Sequence, residues 1–329
     1  MDTLVVAPSW VGDAVLAHPL LVRLKARDPG GAIDVLAPAW ASSVFGRMPQ
    51  VRAALPFPFG HGELRLPERR AFARALPRYD RAIVLPNSLK SALVPWLAGI
   101  PVRTGYRGEM RYGLLNDLRR LDARALPLIV ERFAALAQPR GEALERPVAP
   151  PRLMVDAAGQ AATLGKFGLA GAAPVLALAP GAEYGPAKRW PPRHFAELAR
   201  LHQARGWQVW LFGSARDAGI TAQIAALAPG RLTDLAGRTS LDEAIDLLGL
   251  ATRVVTNDSG LMHVAAALDR PMAAIFGSSS PGFTPPLSAR ARVISLKLDC
   301  SPCFERTCPL GHTHCLEKLE PAQVLAALD

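Results

Sequence analysis

The first 299 residues contain no cysteine, and no apolar run reaches the ~18 residues that a membrane-spanning helix needs. The nearest candidate, SALVPWLAGIPV (91–102), is interrupted by proline and glycine. The chain opens on DTLVVAPSW with no basic n-region and no cleavage signature. A spanning protein or a disulfide-built miniprotein is therefore not expected, and the expected location is the cytoplasm, with peripheral contact to a membrane still open. Several motifs are missing as well: there is no G-x-G-x-x-G, no G-x-x-x-x-G-K-[ST], no H-E-x-x-H and no G-x-S-x-G. Nicotinamide oxidoreductases, P-loop enzymes, zincins and α/β-hydrolases all lose ground. No repeat of 20 to 50 residues suggests a solenoid.

What is present is ordinary for a folded soluble protein. The 329 residues are 50% hydrophobic and 20% charged, about twice the usual single-domain length, so two domains with their own cores are expected. The formal charge of +10 and pI near 10.0 point to a polyanionic partner: nucleic acid, an anionic membrane surface or a phosphorylated substrate. The arginines are scattered, however, and a compositional swap of Lys for Arg explains part of the excess.

Strand-like apolar segments alternate with helical patterns, which predicts parallel sheets covered by helices. In the first half the strands are TLVVAP (3–8), AIDVLAP (32–38) and RAIVLPN (81–87), with a helix over 13–27. Residues 139–174, rich in Pro, Ala and Gly, suit a connector. The alternation then restarts, with strands at 174–181, 207–213, 231–237, 253–258 and 271–277 and helices from Pro191, over 216–228, 240–250 and 260–268. The expected architecture is α/β, with two Rossmann-like domains: 1–155, 156–310, and a tail of 311–329. Parallel sheets bind ligands at the carboxyl ends of their strands, so the strand-to-helix turns that line the expected inter-domain cleft should hold the chemistry.

Those turns carry the unusual residues. In TNDSGLMHVAAAL (256–268), Ser259 stands at a helix start whose N–H groups suit an anion, Gly260 lets a diphosphate approach, and His263 lies one turn further on. Asp258 and Ser259 read equally as helix caps, and His263 as a satisfied core histidine. In APGAEYGPAKRWPPRHF (179–195), Gly181, Gly185 and Pro186 lead to Lys188, either a leaving-group cation or a solvated charge. Asp217 in LFGSARDAG has the position of a ribose ligand or of a first-turn residue facing the helix dipole. Lys90, Arg103, Arg107 and Arg111 surround glycine-containing turns beside Tyr106 and Tyr112, as a phosphate-binding surface or as a face salt-bridged to Glu109 and Asp117. Asp13, in APSWVGDAVLAHP (7–19), is either a helix-start carboxylate or a base. In the tail, Cys300, Cys303, Cys308 and Cys315 follow a C-x2-C-x4-C-x6-C spacing. Four thiolates can close a structural zinc site, although the last two spacings are not those of a standard knuckle, so reduced or oxidised cysteines are the competing reading.

Taken together, PSWVGDAVLAHPL, LPNSLKSALVP, RTGYRGEMRYGLLND, PGAEYGPAKRWP, LFGSARD and VTNDSGLMHVAAAL resemble the ADP-heptose:lipopolysaccharide heptosyltransferases of glycosyltransferase family 9. The SWVGD turn and the RGEMRYGLLND segment are more similar to the branch that adds the second heptose than to the one that adds the first. The resemblance implies a GT-B fold with the acceptor on the N-terminal domain and ADP-heptose on the C-terminal domain. It implies transfer to the first heptose of a lipid A-linked inner core at the inner face of the cytoplasmic membrane, with no nucleic acid partner. It assigns Asp13 as base and Lys188 as the leaving-group cation. Gly181, Asp217, Asp258, Ser259, Gly260 and His263 fall to the donor, and Lys90, Arg107 and Arg111 to the acceptor. No cofactor is required for transfer; a zinc at the cysteine cluster would be structural. A sister enzyme acting at another core position, or a non-catalytic polyanion binder, are the alternatives.

Overall fold

Thr3–Val6 is buried at every position, as a strand covered on both faces must be, and it lies at the middle of its sheet. The chain, in a computed structural model, is described over residues 1–60, 63–169 and 173–328. It divides into two units, Met1–Pro151 and Arg152–Asp329. The first contains β1 (Thr3–Val6), β2 (Ile33–Ala37), β3 (Ala53–Pro56), β4 (Arg81–Val84), β5 (Val102–Tyr106) and β6 (Asp117–Arg119), in the order β3-β2-β1-β4-β5-β6. The second contains β7 (Val175–Ala179), β8 (Gln208–Leu211), β9 (Leu232–Asp234), β10 (Arg253–Asn257), β11 (Met272–Ile275) and β12 (Ala291–Ile294), ordered β12-β11-β10-β7-β8-β9. Every strand pairing is parallel. Each unit counted from its own first strand reads 3-2-1-4-5-6, the doubly wound order of dinucleotide-binding sheets.

The expected strands are all present, and β3, β5, β6 and β12 are additions. They were harder to read because they are short edge or near-edge strands: β3 is only partly buried and β12 has an exposed centre, so neither shows a continuous apolar run. The single helix expected over 13–27 is two, Val11–Leu16 and His18–Arg27, divided at Ala17. Pro19 explains the division, since it has no N–H to continue the ladder. The connector also departs from expectation, because it holds a helix at Ala157–Phe167. Asp156 caps that helix by accepting from the Ala158 N–H at 3.1 Å, and Gly168 ends it at φ 62°.

Residues 311–329, read from sequence as a separate tail, supply Leu316, Leu319 and Val324 to the core of the second unit, all fully buried with Leu176, Leu198, Val255 and Ile275. The Trp190 indole N–H donates to the Leu319 carbonyl at 2.8 Å, so the chain end is fastened from inside that core. Among the described residues no helix is long and apolar enough to cross a membrane.

Leu316 also lies so close to Gly277 that a Cβ there would sit 2.7 Å from its Cγ. Leu316→Ala is therefore expected to leave a cavity and cost about 2–5 kcal/mol, measured as a lower urea midpoint with an unchanged m-value.

Candidate functional site

In a doubly wound sheet the crevice opens where strand order reverses, at the carboxyl ends of the two central strands. In the second unit those strands are β7 and β10, and the turns that follow them are 180–191 and 258–260. The apolar strands bring the two turns together. Asn257, fully buried at the end of β10, locks them there: its amide donates to the Pro180 carbonyl at 2.6 Å and its oxygen accepts the Trp190 N–H at 3.1 Å.

Beside this clamp the Lys188 ammonium donates to Asp258 Oδ2 at 2.5 Å, and the Ser279 hydroxyl reaches the same oxygen at 2.5 Å. Asp258 is 6% exposed. Lys188 also lies over the Tyr184 ring, 4.9 Å from its centroid, which adds a cation–π contact. Lys188 owes its position to Gly185, where a Cβ would come within 2.4 Å of the Arg306 carbonyl; that carbonyl accepts the Ala187 N–H at 3.1 Å.

The helix Gly260–Ala267 begins at this pair. Ser259 occupies its N-cap position but makes no capping hydrogen bond; its hydroxyl lies 3.3 Å from that of Thr256, and no acidic side chain lies in the first turn. Ser259 therefore makes no cap, and the first-turn N–H groups receive no acceptor from its side chain. His263 is buried a turn further in. Burial holds its imidazole well below the ordinary range, at about 4, with Asp258 opposing the effect and Lys188 adding to it. At neutral pH it is uncharged, so it offers a hydrogen bond and no charge.

Asp217, at the turn after β8, is buried and accepts from both the Ser214 N–H (2.9 Å) and hydroxyl (2.8 Å) in a capping box. Its carboxyl carbon would be 2.4 Å from a Cβ on Gly181, so that glycine is needed for close approach. The helix-start reading of Asp217 is thus met in the structure, beside the turn that leads to Lys188.

In the first unit the order reverses between β1 and β4. Asp13 is partly buried in the first turn of Val11–Leu16, after β1, and Trp10 at the N-cap position makes no side-chain capping hydrogen bond. Trp10, at the cap position, is exposed, and so is Trp40, whose indole N–H donates to the Ser9 carbonyl at 3.0 Å. Lys90 lies in the first turn of Leu89–Leu97, after β4; there Glu109 accepts the Leu89 N–H at 2.9 Å. Arg107 is exposed and stacks over Tyr112 at 5.7 Å.

Arg111 departs from the expected surface cation. It is 1% exposed, and its guanidinium donates to the carbonyls of Pro86 (2.5 Å) and Tyr106 and to Asn87 Oδ1 (3.2 Å). Its terminal nitrogens are committed to Pro86, Asn87 and Tyr106, so it braces the turn after β4 against the end of β5. Arg103 is likewise tied to the Ile100 and Leu114 carbonyls.

Sequence reasoning did not single out Trp40, Ser279, Tyr184 or Asn257's double role. The signal for Asn257 was present, an amide closing an apolar strand; Trp40 and Ser279 depend on neighbours distant in the chain, and Tyr184 on the path of the turn that brings Lys188 over its ring.

The family model described as Glycosyltransferase family 9 (heptosyltransferase) matches residues 69–314. Lipopolysaccharide heptosyltransferase 2 of Escherichia coli K12 is 49% identical, covering 100% of this chain and 98% of that protein. Lipooligosaccharide heptosyltransferase 2 of Haemophilus influenzae is 47% identical over 90% of this chain and 89% of its own. The solved structure of the E. coli ADP-heptose lps heptosyltransferase II superposes with a TM-score of 0.90 at 47% identity, covering 100% of this chain and 97% of that one.

Two outcomes test the electrostatics. Lys188→Met strands a buried carboxylate and is expected to cost about 3–5 kcal/mol in urea unfolding, part of which Asp258→Asn restores in the double variant. His263 binds a proton near 6.5 when unfolded and near 4 when folded, so its contribution is complete above pH 6.5 and is lost as pH falls towards 4. The difference in unfolding free energy between the native chain and His263→Gln should shrink by about 3 kcal/mol across that window.

Proposed function

The chain belongs to glycosyltransferase family 9, the heptosyltransferases, and from that premise we propose that it moves L-glycero-D-manno-heptose from ADP-heptose to the first heptose of the lipopolysaccharide inner core. It is a glycosyltransferase of GT-B fold, and relatives named lipopolysaccharide heptosyltransferase 2 match it along its whole length at nearly half identity. The observation that carries the donor half is the Lys188–Asp258 pair beside the uncapped start of Gly260–Ala267, where the second sheet reverses order. A cation and free helix N–H groups suit a diphosphate that gains charge as it leaves.

Transfer inverts the anomeric centre. Asp13 takes the proton of the acceptor hydroxyl as that oxygen bonds to the anomeric carbon, on the face opposite the breaking bond to ADP. Lys188 and the Gly260 N-terminus receive the diphosphate, and neutral His263 donates to a phosphate oxygen. Asp217 stands at the ribose, with Gly181 leaving room. Lys90 and Arg107 meet the acceptor's phosphates, Arg111 holds their turn in shape, and Trp10 walls the sugar. On this reading the charges that metal ions supply in other transferases come from Lys188 and the helix, so transfer calls for no cofactor. The acceptor is lipid-linked, so the enzyme works in the cytoplasm against the inner membrane face, consistent with its +10 charge.

Purified protein with ADP-heptose should release ADP and heptosylate an acceptor that already carries one heptose; activity only on the acceptor that carries none would overturn the assignment in favour of the sister enzyme. Asp13→Asn should lower transfer about 10²–10⁴-fold while ADP-heptose binding, read by calorimetry, is retained. Lys188→Gln should weaken both binding and transfer. If Asp13→Asn leaves function intact and binding to polyanions falls steeply with salt without ADP release, the non-catalytic reading stands instead.

A further inference from the structure

All four cysteines of the chain, at 300, 303, 308 and 315, are unbridged and line one cavity of about 20 Å³, together with Ala187, Ser278 and His312. A space of that size holds roughly one water-sized sphere. The segment around it forms almost no regular structure between β12 and His314–Glu317, and Lys297, Phe304 and Thr313 all adopt positive φ, which side chains other than glycine resist. Something beyond hydrophobic burial must hold such a segment, since Phe304 and Leu310 are exposed.

The segment is nevertheless tied at several points to the donor turns. The Phe304 N–H donates to Ser278 O at 2.6 Å, the Ser301 hydroxyl to Gly277 O at 2.5 Å, and the Tyr184 hydroxyl to Phe304 O at 2.6 Å. With the Ala187 N–H on the Arg306 carbonyl, the cavity is directly behind the turn that ends in Lys188.

Backbone N–H groups of Leu310, Gly311, His312 and Thr313 surround the Cys308 sulfur, as the turn from Cys308 to Thr313 folds back around it. His312 is a poorer ligand candidate, because its Nδ1 accepts the His314 N–H at 3.1 Å and its ring stacks on that of His314 at 3.9 Å.

We propose that Cys300, Cys303, Cys308 and Cys315 bind one zinc ion as four thiolates, and that the ion fastens residues 300–315 behind the Ala187–Lys188 turn. As the side chains stand, no group of three or more His, Cys, Asp or Glu among the described residues is arranged to hold a metal. Binding therefore turns the sulfurs inward onto the cavity they already line. Each thiol gives up its proton as its sulfur bonds to zinc, no electron is transferred, and four protein ligands leave no open position, so the ion is structural.

The test is the metal content of the full-length protein, purified under reducing conditions and without chelators. One zinc per chain is expected, released into a colorimetric chelator only as a mercurial consumes four thiols. Cobalt loaded in its place should show thiolate-to-cobalt charge transfer and the intense visible bands of a tetrahedral tetrathiolate site. Removing zinc from the native chain should lower Tm, and adding zinc back should restore it, a readout that does not depend on any variant folding. Cys303→Ser/Cys308→Ser should not retain the ion. The proposal is overturned if the protein neither contains nor takes up a stoichiometric metal, if a Cys300–Cys303 disulfide forms in its place, or if the double variant keeps the metal. Because metal content is measured without substrate, failure here leaves the transfer reading untouched, and the reverse also holds.

Discussion

The second unit is organised around one nearly buried ion pair. Asp258 would be costly to leave alone in the interior, and Lys188, arriving from a turn 70 residues earlier, neutralises it. That requirement accounts for much of the neighbourhood: Asn257 holds the two turns together, Gly185 makes room for the Arg306 carbonyl, Trp190 anchors the turn on the core, and Ser279 satisfies the carboxylate further. The pair thus holds a fixed cation at the carboxyl ends of the two central strands.

The helix beside it follows the same logic. Some helices in this chain meet their N-terminal demand for acceptors with their own side chains, as Ser240 does by accepting the Glu243 N–H. Gly260–Ala267 does not, and it is the helix that starts at the switch point of its sheet. His263, kept neutral by burial, adds a hydrogen-bonding group without adding charge that would compete with Lys188. An uncapped helix start, a paired cation and an uncharged imidazole meet at this one turn, and the proposed donor site rests on their combination.

The first unit repeats the architecture but distributes its charges differently. Two arginines of its glycine-containing turns are turned to the backbone: Arg111 and Arg103 spend their guanidinium groups on backbone carbonyls, and Gly108 lets its turn approach Asn87 so closely that a Cβ would come within 2.8 Å of the Asn87 carbonyl. Arg107, stacked on Tyr112, is the arginine of that cluster left at the surface. Asp13 remains at the β1 turn, on the equivalent position of this sheet to the one that Lys188 and its turn occupy on the other.

Much of this was legible in the order of residues. Alternating apolar and amphipathic segments specify parallel strands and covering helices because burial on both faces selects continuous Val, Leu, Ile and Ala runs. The glycines, Asp13, Lys188 and the TNDSG turn mark strand ends because only short, special turns tolerate such residues. Short edge strands and the Ala-rich helix at Ala157–Phe167 were not legible, since partial burial leaves weak periodicity. What tertiary structure alone decided is partnership: that Lys188 meets Asp258, that Arg111 is a buried tether, that Trp190 reaches Leu319 across 129 residues, and that four cysteines share one cavity. Local pattern determines which face of an element is buried, but hydrogen bonds and ion pairs depend on distances between elements, and those are set only when the sheets and their helices have packed.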